Sequence, residues 1–112
     1  MLIKMIHKHF SRYRNGFAIT FDNGYYVDAT FGAGNYAENR REYEYGEEPE
    51  DLESENCETI IVDGDGVDRT YEIGKCLGLN VSGDKKSAVL PYLHFNDWLR
   101  IVNYVNAIQP RK

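Results

Sequence analysis

With 112 residues, 42% of them apolar, the chain can bury one modest core, so 1–112 reads as a single domain of ordinary small size. A formal net charge of −5 argues against a conventional nucleic-acid binder, which needs an excess of Lys and Arg to neutralise phosphates. No apolar run approaches membrane-spanning length, and Cys57 and Cys76 are too few for a disulfide scaffold, so the reading is a cytoplasmic chain with reduced thiols and no membrane partner.

The first fourteen residues fit two periods. Leu2, Ile6, Phe10 and Tyr13 share one helical face, whereas Ile3, Met5, His7 and His9 suit the alternation of a strand; the helix is slightly preferred. Lys4, His7 and Lys8 interrupt the apolar positions, so no secretory leader is expected. From Phe17 the pattern sharpens. Phe17, Ile19 and Phe21 alternate with Ala18, Thr20 and Asp22, and Tyr25, Val27, Ala29 and Phe31 alternate on the way back. Asn23-Gly24 between them is the preferred pair for a two-residue type I′ turn, because both positions require positive φ. Gly32-Ala33-Gly34 closes the second strand.

Residues 38–56 then carry nine carboxylates (Glu38, Glu42, Glu44, Glu47, Glu48, Glu50, Asp51, Glu53 and Glu55), half of the chain's 18 acids, against Arg40 and Arg41. Such a run reads as a mobile or functional excursion, with a short helix around Pro49–Glu55 as one option. Glu58–Asp63 and Arg69–Ile73 read as strands of a second hairpin around Asp63-Gly-Asp-Gly66. Residues 74–91 read as loop with a short strand near Leu79–Val81. Asn96 is a suitable N-cap for a terminal helix with Trp98, Leu99, Val102, Val105 and Ile108 on its apolar stripe, ended by Pro110. The expected fold class is α+β: an antiparallel sheet from two β-hairpins packed by one C-terminal amphipathic helix. Phe17, Ile19, Phe21, Val27, Ile60, Val62, Tyr71 and Ile73 are its core positions.

No catalytic signature is visible. The serines lie in no nucleophile elbow, Cys76 has no assignable histidine, and His7 and His9 lack a third ligand, so no metal and no cofactor is expected. Asp63-Gly-Asp-Gly-Val-Asp68 lacks the spacing and terminal Glu of a calcium loop and reads as a turn. The candidate binding residues are Asn35, Tyr36, Asn39 and Arg40 on the glycine-rich loop, with Tyr43, Glu44, Tyr45, Glu47 and Glu48 on the acidic run. Glycines let a ligand approach backbone N–H groups, asparagines offer donors and acceptors, Tyr36 a stacking face and Arg40 an anion contact. The bland alternative is a strand-ending loop in which Asn35 caps its own backbone and Tyr36 packs on the sheet.

The residues Asn23-Gly24, Phe31-Gly32, Gly34-Asn35-Tyr36 and Asn39-Arg40 resemble those of a family of small uncharacterised proteins encoded by bacteriophages and prophages, with an Asn-Gly hairpin followed by a Phe-Gly-x-Gly-Asn-Tyr loop. The resemblance covers about residues 17–40. Ala29-Thr30 and Ala37 depart from it, and the acidic run is longer than usual. It implies a phage accessory protein in the host cytoplasm. Three readings stay open. The first is a non-enzymatic inhibitor that binds a host defence or nucleic-acid-handling protein through an acidic, tyrosine-bearing surface opposite a basic one, imitating nucleic-acid phosphates. The second is a sponge that sequesters a signalling nucleotide at Gly32–Arg40. The third is an oligomeric structural or virion-associated protein.

Overall fold

The computed structural model describes residues 8–13, 15–44, 46–49 and 51–109. In chain order the elements are β1 (His9–Tyr13), β2 (Gly16–Thr20), β3 (Tyr26–Thr30), β4 (Asn56–Thr59), β5 (Ile61–Val62), α1 (Thr70–Cys76), β6 (Ser82–Gly83), β7 (Ala88–His94) and α2 (Phe95–Asn106). The fold is α+β. Seven antiparallel strands run β1-β2-β3-β4-β7-β6, with β5 continuing beside β3 past the end of β4. No described helix is long and apolar enough to cross a membrane.

The preference for an N-terminal helix is overturned where the structure describes that segment. His9–Tyr13 is a strand paired residue by residue with β2, from His9↔Thr20 to Tyr13↔Gly16. Phe10, which the helical reading places on one face with Leu2, Ile6 and Tyr13, is 78% exposed on this outermost strand. Backbone pairing with β2 overrides a weak side-chain period. Leu2 and Ile6 lie outside the described residues.

The β2–β3 hairpin forms as expected, but its turn differs. Phe21 N–H donates to Tyr25 O (2.8 Å) and Gly24 N–H to Phe21 O (2.9 Å), and within the turn Gly24 (φ 87°) is left-handed while Asn23 is not. This is a three-residue connection with a glycine bulge rather than a type I′ turn. The Asn23 side chain ties the turn to the terminal helix instead. Its Nδ2 donates to Val105 O (2.7 Å) and Ile108 O (2.9 Å), closing carbonyls at the end of α2, while Oδ1 holds Tyr25 N–H.

β4 and β5 are one strand broken at Ile60, and Asp28 of β3 fills the break. Its N–H donates to Ile60 O (3.3 Å), its Oδ1 accepts from Ile60 N–H (2.8 Å), and its carbonyl accepts from Thr59 Oγ1 (2.9 Å) and Trp98 Nε1 (3.0 Å). The second expected hairpin is reduced to a turn closed by one antiparallel bridge, Val62↔Asp68. Asp63 N–H pairs with Val67 O and Arg69 N–H with Ile61 O, and the Asp63 carboxylate accepts from Asp65 N–H, Val67 N–H and Arg69 Nε, which closes the turn at this motif. The expected strand Arg69–Ile73 is instead the start of α1. Thr70, Ile73, Gly74 and Leu77 fall on one helical face, and Asp68 Oδ1 accepts from Thr70 N–H at its entry. The alternation of Tyr71 and Ile73 is too short to separate the two periods.

The expected loop 74–91 contains part of α1, β6 and the start of β7. The short strand lies at Ser82–Gly83 rather than Leu79–Val81, and Pro91 hides β7 from a reading of the sequence. Pairing with β4 slips between Cys57↔Leu93 and Thr59↔Leu90, and this bulge absorbs the proline. Residues 51–55 form no helix. α2 begins one residue before Asn96, with extended His94 at its N-cap. Trp98, Ile101 and Val105 are its buried residues; Val102 and Ile108 pack partly, and Leu99, expected on the stripe, is exposed. Pro110 lies outside the described residues. Phe21, Val27 and Ile73 join the core as expected; Ile19, Ile60, Val62 and Tyr71 are half-buried, and Phe17 sits at the rim with its ring edge on Trp98, centroids 5.5 Å apart.

Candidate functional site

The glycine-rich loop and the acidic run are fastened to each other by two buried asparagines. Asn39 is fully buried; its Oδ1 accepts from Gly32 N–H (2.7 Å) and its Nδ2 donates to Glu53 O (2.6 Å). Asn15, just before β2, donates from Nδ2 to Ala33 O and Glu48 Oε1, both at 3.2 Å. Leu52 lies against Gly32 so closely that a Cβ there would meet its Cδ2 at 2.8 Å. The acidic run therefore has fixed attachments along its length. Asn39→Ala is expected to lower the thermal midpoint and to admit protease cleavage within 42–55, because it leaves the buried Gly32 N–H without its partner, at about 1–3 kcal/mol, and releases the Glu53 carbonyl; calorimetry with limited proteolysis reads both.

β4 anchors the far side of the loop. Glu58 Oε2 accepts from Tyr36 N–H (2.9 Å), Asn56 Oδ1 from Glu38 N–H (2.7 Å), and Glu38 Oε1 from Glu55 N–H (3.2 Å) and Ser54 Oγ (3.4 Å). Between these attachments lies an open cleft of about 850 Å³. Phe31, Tyr43, Pro49 and Leu52 give it apolar lining, and Glu38, Glu42, Asp51, Glu53 and Glu55 give it five carboxylates. All five residues are exposed. Among the described residues, none of the five has a Lys, Arg or His nitrogen within 4 Å; the ion pairs join Arg69 to Asp63 and Glu72, and Arg100 to Asp97.

The expected site residues fall into three groups. Asn35 and Asn39 are structural: Asn35 Nδ2 donates back to Phe31 O (3.1 Å), as the bland alternative holds. Tyr36 and Arg40 form a surface ledge, with the guanidinium carbon 4.6 Å from the ring centroid and Tyr36 41% exposed. Tyr43 lines the cleft, Glu44 and Glu47 are exposed beside one another in a turn, and Glu48 is half-buried as a fastener; Tyr45 lies outside the described residues.

Sequence reasoning misses Tyr92. Its N–H donates to Tyr36 O (2.9 Å), its ring centroid stands 6.3 Å from that of Tyr36, and it is 45% exposed. It is the single non-glycine residue with positive φ (49°) among those described, a conformation that costs about 1–2 kcal/mol and that the β7 bulge imposes. No local sequence signal marks it. The five cleft carboxylates are visible in the sequence as charge density, but their grouping depends on the Asn39 and Asn15 contacts.

Chemically, the cleft can attract cations and cover an aliphatic stem. Among the described residues no group of three His, Cys, Asp or Glu side chains could hold a metal ion. Cys57 is buried, which pushes its thiol up to about 11, and Cys76 is exposed with Sγ 3.8 Å from Tyr104 Oη. The loop's backbone donors are largely spoken for: the N–H groups of Gly32, Asn35, Tyr36, Ala37, Glu38 and Arg40 all have acceptors within the protein. No family model matches the chain, and no curated protein or solved structure is similar enough to count as a match.

Proposed function

We propose that the protein is a stoichiometric binder that seats a basic segment of another protein in the acidic cleft. The observation that carries this reading is the set of five exposed carboxylates around apolar lining, with no Lys, Arg or His nitrogen of the described residues within 4 Å of them. Lys and Arg side chains suit such a site: their stems cover Phe31 and Leu52 while their heads reach the carboxylates and the ring of Tyr43. Arg is the better fit, because a planar guanidinium pairs with carboxylate oxygens two at a time. In line with its resemblance to small phage and prophage proteins, the chain acts on this reading as an accessory protein that inhibits a host defence or nucleic-acid-handling protein by engaging its basic, phosphate-binding residues in place of phosphates.

The nucleotide-sponge reading draws support from the Arg40–Tyr36 ledge, but the internal hydrogen bonds of the loop leave fewer N–H donors for a phosphate. Titration calorimetry separates the two. A short arginine-rich peptide is expected to bind at low salt and a panel of nucleotides to give no heat. Nucleotide binding that disappears in Arg40→Ala and Tyr36→Ala would replace the first reading with the second. A self-associated species on size-exclusion chromatography, with neither ligand bound, would favour the structural protein.

A further inference from the structure

Asp28 stands apart from the cleft and has no role in the binding just described. It lies in the central strand β3, 7% exposed, and is the contact that spans the break between β4 and β5. Its carboxyl meets no cation: among the described residues it forms no ion pair, and the ionisable groups facing it are Glu58 and Cys57, both of β4. The carboxyl's partner just before β5 is the uncharged Ile60 N–H; on α2 the Trp98 indole donates to the Asp28 backbone carbonyl, and on β2 the residue opposite is Ala18.

We propose that Asp28 is a proton-controlled latch that holds β4, and with it the loop bearing Tyr36 and Glu38, firmly closed when protonated and loosens it when ionised. The mechanical link is direct. Thr59 hangs on the Asp28 carbonyl, Glu58 holds Tyr36 N–H, and Asn56 holds Glu38 N–H, so movement of β4 away from β3 releases the loop at two points. Burial pushes the Asp28 carboxyl from 3.8 up to about 7; the Ile60 N–H opposes this and the Glu58 carboxylate adds to it. In the opened state, with water at the carboxyl, the proton is held only to about 4. The closed state therefore binds the proton more tightly, and closure weakens as pH rises from about 4 through about 7, then levels off. Residue 28 thereby couples the presentation of the loop to pH across neutrality.

Amide hydrogen exchange followed by NMR, corrected for intrinsic rates, tests the latch. In the wild type, protection of the Ile60, Tyr36 and Glu38 amides is expected to fall about tenfold between pH 6 and pH 8. In Asp28→Asn, which keeps an oxygen for Ile60 N–H, protection is expected to be flat over that range. The carboxyl carbon of Asp28 in the wild type supplies a readout that requires no variant, and its chemical shift should titrate near neutrality. A carboxyl carbon that titrates near 4, wild-type protection that does not change with pH, or an unchanged pH dependence in Asp28→Asn would each overturn the proposal.

Discussion

Gly16→Ala is expected to destabilise the protein strongly. Gly16 begins β2 opposite Thr30 of β3, and a Cβ on it would stand 2.0 Å from the carbonyl oxygen of Ala29 and 2.9 Å from the Thr30 Cα. Both are backbone atoms of the neighbouring strand, so no flexible side chain can yield. The start of the hairpin must part, and the hairpin carries Val27 and Phe21 into the core. Asn15 moves with it. Its carbonyl accepts from Phe31 N–H (2.8 Å) and its side chain fastens Ala33 and Glu48, so the cleft also loses its anchor. A loss of about 4 kcal/mol is expected, against a total of roughly 5–15 kcal/mol for a domain of this kind. Urea denaturation reads it, with Gly66→Ala as control. Gly66 also has positive φ (81°), but a Cβ there meets nothing within 4 Å, so only about 1 kcal/mol of conformational cost applies. Equal midpoints for the two variants would show that β2 and β3 approach less closely than these distances.

The second large effect concerns binding. Neutralising Glu42, Asp51, Glu53 and Glu55 together, as Gln or Asn, is expected to weaken an arginine-rich peptide about a hundredfold. Four exposed charge pairs at about 0.7 kcal/mol each sum to about 2.8 kcal/mol, which is two decades in affinity. Glu38 is left in place because its side chain holds Glu55 N–H and Ser54. The fold should survive, since Glu53 serves Asn39 through its backbone carbonyl, which the substitution keeps. Relief of repulsion among like charges should leave the thermal midpoint unchanged or slightly raised. Removing residues 42–55 outright is a poorer experiment, because it also strips Asn39, Asn15 and Gly32 of their partners.

The elements legible in the sequence are those whose own period is long and unbroken. β2 and β3 alternate over five residues each with a turn signal between them, and α2 repeats its apolar stripe over three turns. β1 is ambiguous because its side chains fit two periods, and pairing with β2 decides between them. α1 reads as a strand because the five residues Arg69–Ile73 are too few to exclude a helix whose buried face includes a glycine. β7 escapes a sequence reading because Pro91 and the left-handed Tyr92 interrupt its alternation, and a bulge is a property of two strands together. The same limit governs the site. Asn39 stands out in the sequence, but as a ligand contact; only the distances to Gly32 and Glu53 show that its amide is spent on the fold. The acidic run is plain from composition, whereas the arrangement of Glu38, Glu42, Asp51, Glu53 and Glu55 around one cleft follows from attachments up to 33 residues apart in sequence.

The most direct test is a two-dimensional amide NMR spectrum of the wild-type protein titrated with a short arginine-rich peptide at low salt, with a neutral peptide of the same length as control. Shifts confined to Phe31, Glu38, Glu42, Tyr43 and Asp51–Glu55, absent with the neutral peptide and reversed by added salt, are the predicted result. Shifts that leave these residues untouched and gather elsewhere, or no saturable change at all, would contradict the assignment of the cleft as a seat for a basic partner.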